Sequence, residues 1–185
     1  MVSMEPPMRG VVFDLDGTLV DLDVDWERVD REVRATCRER GIEPGDDDAW
    51  ELLDRAKTRG CREEVESVIA DHEVPGAKLS DRLELADYID QLPVPAAVCS
   101  LNCEDACRTA LAVHDLESHV EIVIGRDSVE TWKPDPAPLV AAVNGLGIDR
   151  ADAVFVGDSE RDAITAHRAD VPFLSDQQAM NVLSP

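Results

Sequence analysis

A chain of 185 residues is long enough to bury one substantial core together with a small accessory unit. Its 40 acidic and 18 basic residues give a formal net charge of -22, which argues against nucleic acid phosphates and anionic lipid headgroups as partners. The acids are spread along the whole chain and the only lysines are Lys57, Lys78 and Lys133, a pattern that suggests adaptation to a salt-rich, halophilic cytoplasm.

The opening "MVSMEPPMRG" has no basic start followed by an apolar run, so no signal peptide is expected. No stretch of about 18 apolar residues is present, and the expected location is cytoplasmic, without membrane contact. Cys37, Cys61, Cys99, Cys103 and Cys107 contain no paired Cys-x-x-Cys, which argues for buried thiols over a disulfide framework or a zinc ribbon.

Residues 10 to 21, "GVVFDLDGTLVD", begin as a buried strand that ends in two carboxylates, Asp14 and Asp16, separated by Leu15. Strand alternation would hold both acids on one side, where their repulsion calls for a cation or a raised pKa. An irregular stretch, "GTLVDLDVDW", is expected next. Helices then follow over residues 26 to 40, 47 to 59, 61 to 71 and 79 to 91, with Val29, Val33 and Cys37 sharing one face of the first. Four helices without an intervening strand form a separate helical unit.

From Pro93 the pattern changes. Short apolar strands are expected at 94–100, 120–125, 152–157 and 171–175, with helices at 104–114, 136–146 and 159–169 between them. Alternation of this kind gives βαβ units, and hence an α/β fold of five parallel strands with an all-helical insertion after the first. Ligands of such sheets bind at the carboxyl ends of the strands. Asp14 and Asp16, Ser100, Lys133 of "ETWKPDP", and Asp158 and Asp162 of "GDSERD" all belong to that edge.

This set suits phosphoryl transfer. Asp14 offers a nucleophile that would form an aspartyl-phosphate. Mg²⁺, a hard cation with oxygen ligands, would bridge Asp14, Asp158 and the phosphate and would resolve the repulsion at the strand end. Lys133 and Ser100, with the amides around Leu15 and Asp16, would bind the phosphoryl oxygens. Asp16 would protonate the leaving alkoxide and then take a proton from water.

"FDLDGTLVD", "VCSLN", "WKPDP" and "VGDSERD" resemble the four successive motifs of the haloacid dehalogenase superfamily, in order. The resemblance implies a Rossmann-like core with sheet order 5-4-1-2-3, formed by residues 1–21 and 93–185. Residues 22–92 match a cap placed directly after the first motif, as in phosphoglycolate-phosphatase-like members. By the same likeness Asp14 is the nucleophile, Asp16 is the acid/base and a Mg²⁺ contact through its carbonyl, Ser100 and Lys133 bind phosphate, and Asp158 is the metal ligand. Asp162 matches the last acid of the fourth motif, which acts through water or by orienting Lys133.

An acid at position 16 favours phosphate-ester hydrolysis over cleavage of carbon–halogen or carbon–phosphorus bonds. The implied protein is a Mg²⁺-dependent phosphatase of a small phosphorylated metabolite, a monomer or homodimer. A sugar-phosphate mutase or phosphotransferase with the same core, and a non-catalytic phospho-acceptor module, are the alternatives. Two departures stand out. Leu101 separates Ser100 from Asn102 where the family often has Asn directly, and Asp170 stands where an Ala-Gly pair is common, implying a left-handed turn carried by Asp. Arg59 and Arg62 are candidates for a substrate anion or for surface pairs with Glu63 and Glu66, and Trp26, Trp50 and Trp132 for packing between units.

Overall fold

Strand β1 (Gly10–Phe13) is buried along its whole length, and its neighbours are drawn from distant parts of the chain. A computed structural model of the protein describes residues 8–183, so the first seven residues, on which the signal-peptide reading falls, lie outside the described residues. After β1 come β2 (Val20–Asp21) and helices α1 (Trp26–Glu39), α2 (Ala49–Arg59) and α3 (Arg62–Lys78). Strand β3 (Asp81–Arg82) and a 3-10 helix (Glu84–Gln91) lead into β4 (Ala96–Cys99) and α4 (Glu104–Val113). The remainder is β5 (Ile122–Ile124), α5 (Ala137–Gly145), β6 (Ala153–Gly157), α6 (Glu160–Ala169), β7 (Phe173–Ser175) and α7 (Asp176–Leu183).

Five of these strands form one sheet in the order β5-β4-β1-β6-β7, and every pairing in it is parallel, with Val11 beside Ala96 on one side and Val154 on the other. Side-chain alternation along β1 divides the core. Val11 and Phe13 join α4 residues Ala106, Cys107, Ala110 and Leu111. Val12 faces Leu139, Ala142 and Val143 of α5 and Ala166 and Ala169 of α6. Each fully buried Val, Leu or Phe contributes about 1.5–3 kcal/mol, so these two layers hold the sheet edge rigid.

Helices α1 to α3 have their own apolar cluster, with Val29, Val33, Leu52, Leu53, Val65 and Ile69 among its members, and Trp132 joins it from the opposite side. All five cysteines are free and buried. Among the described residues, no helix is long and apolar enough to cross a membrane.

Four local expectations are corrected. Residues 79–91 form no α-helix: Asp81–Arg82 pair antiparallel with Val20–Asp21, inside the stretch read as irregular, and residues 84–91 are 3-10. Leu85, Ala86 and Ile89 still face the sheet's apolar cluster, so the apolar spacing was real while the hydrogen bonding was misassigned. Helix α3 runs past 71 to Lys78 and accommodates Pro75 in its last turn, at the loss of that residue's N–H from the ladder. Finally, β1 stops at Phe13, so Asp14 and Asp16 sit in the turn that follows and strand alternation does not set their directions. At the end of α6, Asp170 does adopt the left-handed conformation, with φ 54°.

Candidate active site

The turn after β1 buries Leu15 in the core and thereby holds the acids on either side of it at the sheet edge. The Asp14 amide donates to Val156 O at 2.8 Å, and Asp14 Oδ1 accepts from the Leu15 amide at 2.7 Å. The same oxygen lies 2.9 Å from Lys133 Nζ. Asp16 turns elsewhere, its Oδ1 accepting the Leu22 amide at 2.8 Å. Gly17, at φ 80°, completes the turn in a left-handed conformation that favours glycine, and a Cβ there would lie 2.5 Å from Asp158 Oδ2, so a side chain would displace the Asp158 carboxylate.

Lys133 is almost fully buried and is shared by two carboxylates, with Asp162 Oδ1 at 2.6 Å and Asp14 Oδ1 at 2.9 Å. Asp162 belongs to the first turn of α6, where it forms a capping box with Ser159. A Cβ on Gly157 would sit 2.6 Å from Asp162 Oδ2, so the end of β6 is also closed to side chains. Asp158 is exposed, with Thr18 Oγ1 3.5 Å from its Oδ1. One carboxylate oxygen from each of Asp14, Asp158 and Asp162 lies within 4.8 Å of the others.

Burial separates the charges of these groups. It pushes Asp14 up to about 7, with Asp162 adding to the shift and Lys133 opposing it. Burial also raises Asp16 to about 6, against the Leu22 amide. Desolvation alone would lower Lys133, but Asp14 and Asp162 outweigh it and raise it, so one lysine stays charged between two acids and Asp14 is the acid left less satisfied. Asp158 is raised by burial and by Asp162.

Ser100, at the end of β4, donates its hydroxyl to Asn102 Oδ1 at 2.9 Å, and Asn102 Nδ2 reaches Glu73 Oε1 of α3 at 3.2 Å. Arg126, just after β5, binds Glu73 through two nitrogens, donates to Leu101 O and also pairs with Glu66. Sequence reasoning missed this network. Its trace was an acid at Glu73 on the same helix face as Val65 and Ile69. A cavity of about 450 Å³ covers the edge, lined by Asp14, Asp16, Ser100, Asn102, Asp158 and Arg161 and, across from them, by residues of α1 and α2. Lys133 and Asp162 are buried and do not line it. Arg59 and Arg62 do not line it; Arg62 pairs with Glu66 and stacks 4.9 Å over Trp132.

Residues 46–175 match the family model of haloacid dehalogenase-like hydrolases. The chain belongs to this family. The matched range contains Ser100, Lys133, Asp158 and Asp162 and begins after Asp14 and Asp16. A phosphoglycolate phosphatase of Aquifex aeolicus is 27% identical over 176 residues, covering 88% of this chain and 81% of that protein. Another from Rhodospirillum rubrum is 40% identical over a shorter match of 75 residues, 40% of this chain and 31% of that protein. A solved HAD-superfamily hydrolase of subfamily IA from Geobacter sulfurreducens superposes with a TM-score of 0.62 at 27% identity, covering 91% of this chain and 89% of that one. The protein is thus a haloacid dehalogenase-like hydrolase with that family's α/β fold.

Proposed function

We propose that this hydrolase is a Mg²⁺-dependent phosphatase acting on a small phosphate monoester through an aspartyl-phosphate on Asp14. The observation that carries the reading is the placement of Asp14, buried against Lys133 and within carboxylate reach of Asp158, at the floor of a cavity sized for a small molecule. Relatives named as phosphoglycolate phosphatases support the phosphatase class.

The donor set fits the metal. Asp162 is engaged through both oxygens, by Lys133 and Ser159, whereas Asp14 is engaged through Oδ1 alone, so Asp14 and Asp158 would be the carboxylate ligands, with the Asp16 carbonyl added by the family resemblance: oxygen donors of the kind Mg²⁺ prefers. When bound, the ion offsets the negative charge of phosphate and carboxylates and aligns the phosphoryl group.

Asp14 attacks phosphorus as the bond to the leaving oxygen breaks, and Asp16 gives that oxygen its proton. Asp16, now a carboxylate, takes a proton from water; the resulting hydroxide attacks phosphorus and releases phosphate, freeing Asp14. A carboxyl held near 6 serves both steps close to neutrality. Lys133 holds charge beside the phosphoryl oxygens, and Ser100 turns its hydroxyl from Asn102 to them. Asp162 positions Lys133. Residues 22–92 act as the cap that excludes bulk water and reads the leaving group.

An acid/base partner at position 16 distinguishes this reading from a phospho-acceptor module, which needs none. The test is magnesium-dependent phosphate release from p-nitrophenyl phosphate, with Asp14→Asn as control. Turnover abolished by Asp14→Asn and by chelation of magnesium is expected, and no turnover by the wild type in low or molar salt would overturn the reading.

A further inference from the structure

The cavity has two ends of different chemistry. Its floor carries the proposed reaction centre. Its far end is built by Trp26, Val29 and Asp30 of α1 and by Asp48, Ala49 and Trp50 at the start of α2. The indole rings of Trp26 and Trp50 stand 6.1 Å apart, centroid to centroid, at 59°, and Trp26 is 38% exposed, so part of its ring is open to the cavity that it lines. One face of Trp50 lies against Arg126, whose guanidinium is 5.3 Å from the ring centre.

Two carboxylates accompany the rings. Asp30 Oδ2 accepts from Arg34 Nε at 2.6 Å, which offsets part of its charge. Asp48 Oδ1 accepts the amides of Trp50 and Glu51 at 2.9 and 2.8 Å, and no cation pairs with it among the described residues. Each acid is fixed through one oxygen and keeps a second. No lysine or arginine of the far end lines the cavity. Among the described residues the single lining cation is Arg161, which belongs to α6, three positions after Asp158 on the side of the proposed reaction centre.

We propose that the far end receives a positively charged leaving group, so that the preferred substrate is the phosphate monoester of an ammonium-bearing alcohol and not of a hydroxy acid. This rests on the phosphatase reading and departs from the substrate in the relatives' names. Indole faces attract a cation through the ring quadrupole, and the attraction grows when the cation is desolvated. Carboxylates beside the rings add to it, whereas a carboxylate on the leaving group would meet like charge in a partly closed space.

The experiment compares kcat/KM of the full chain with magnesium for phosphocholine, glycerol 3-phosphate and 2-phosphoglycolate, with p-nitrophenyl phosphate as reference. Phosphocholine is expected to exceed 2-phosphoglycolate by about tenfold, with glycerol 3-phosphate between them. Trp26→Leu and Asp48→Asn should each reduce that ratio about fivefold; Asn caps a helix as well as Asp, so α2 is retained. Equal or better use of 2-phosphoglycolate or glycerol 3-phosphate, or a ratio unchanged in both variants, overturns the inference while turnover of p-nitrophenyl phosphate leaves the phosphatase reading standing. Loss of all turnover, p-nitrophenyl phosphate included, overturns both.

Discussion

Glu73 and Arg126 meet as a two-pronged ion pair, with Arg126 Nη1 and Nη2 donating to the two carboxylate oxygens of Glu73 at 2.7 and 3.0 Å and neither side chain exposed to solvent. Glu73 also accepts from Asn102 Nδ2 and from the Cys103 amide, and Asn102 holds the Ser100 hydroxyl. The pair therefore ties helix α3 to the end of β4. Removing Arg126 leaves Glu73 buried without a cation, at about 3–5 kcal/mol, whereas removing the Glu73 charge leaves Arg126 its pair with Glu66 and costs less. Arg126→Met is expected to lower the unfolding free energy in urea by about 3 kcal/mol, and Glu73→Gln, which leaves Arg126 paired with Glu66, by less. Glu73→Leu also removes the acceptor of Asn102 Nδ2; Ser100 then loses its alignment, and KM for p-nitrophenyl phosphate should rise more than kcat falls. A loss in Glu73→Gln as large as that in Arg126→Met would show that shape at this position, and not charge pairing, sets the stability.

Much of the fold can be read in the sequence because each long element repeats a period. Val29, Val33 and Cys37 mark one face of α1, and the apolar runs of β1 and β6 mark strands buried on both faces. The residues now at the sheet edge were traceable for the same reason: Asp14, Ser100 and Asp158 each follow an apolar strand directly. What escaped has no period. Strands β2 and β3 have two residues each, too short to alternate, and the 3-10 helix at 84–91 repeats apolar positions much as an α-helix does. Glu73 and Arg126 lie 53 residues apart, and nothing local in either stretch names the other. Asn102, displaced by Leu101 from its usual place after Ser100, lines the cavity and is held there by Ser100 and Glu73.

Asp16 carries a stability cost that depends on pH. Burial holds its folded pKa near 6 against an ordinary 3.8, so the folded state binds the proton more tightly than the unfolded chain does. The sign follows: above pH 6 the folded protein bears the full penalty of a buried carboxylate, and stability rises as pH falls from about 6 towards 4. Asp16→Asn removes the titration and keeps an oxygen for the Leu22 amide. In magnesium-free buffer at pH 7.5 the variant should be more stable than the wild type by about 1 kcal/mol, a value discounted for the partial exposure of the site. Below pH 4 the two should converge. Urea unfolding of both proteins across this range checks it, and a gap that widens towards acid would reverse the assignment. The same variant should bind magnesium, since the carbonyl of residue 16 is unchanged, and lose turnover.

The net charge of -22 makes a separate prediction about salt. Two carboxylates 10 Å apart in water repel by about 0.4 kcal/mol before screening. At 0.1 M ionic strength the Debye length is about 10 Å and roughly a third of that repulsion is left, while at 1 M it is about 3 Å and almost none is left. Attractive pairs such as Arg28 with Glu32 and Arg108 with Glu104 weaken as well, but exposed pairs of this kind contribute only about 0–1 kcal/mol each, and acids outnumber their partners. Summed over the surface, the relief of repulsion exceeds the loss of attraction. The urea midpoint should therefore climb as potassium chloride is raised from 0.1 to 2 M, most steeply below 1 M, with urea chosen because guanidinium would itself screen the charges. A midpoint independent of potassium chloride would show that the excess acids are too far apart to strain the fold, and the inference of a salt-adapted protein would be withdrawn.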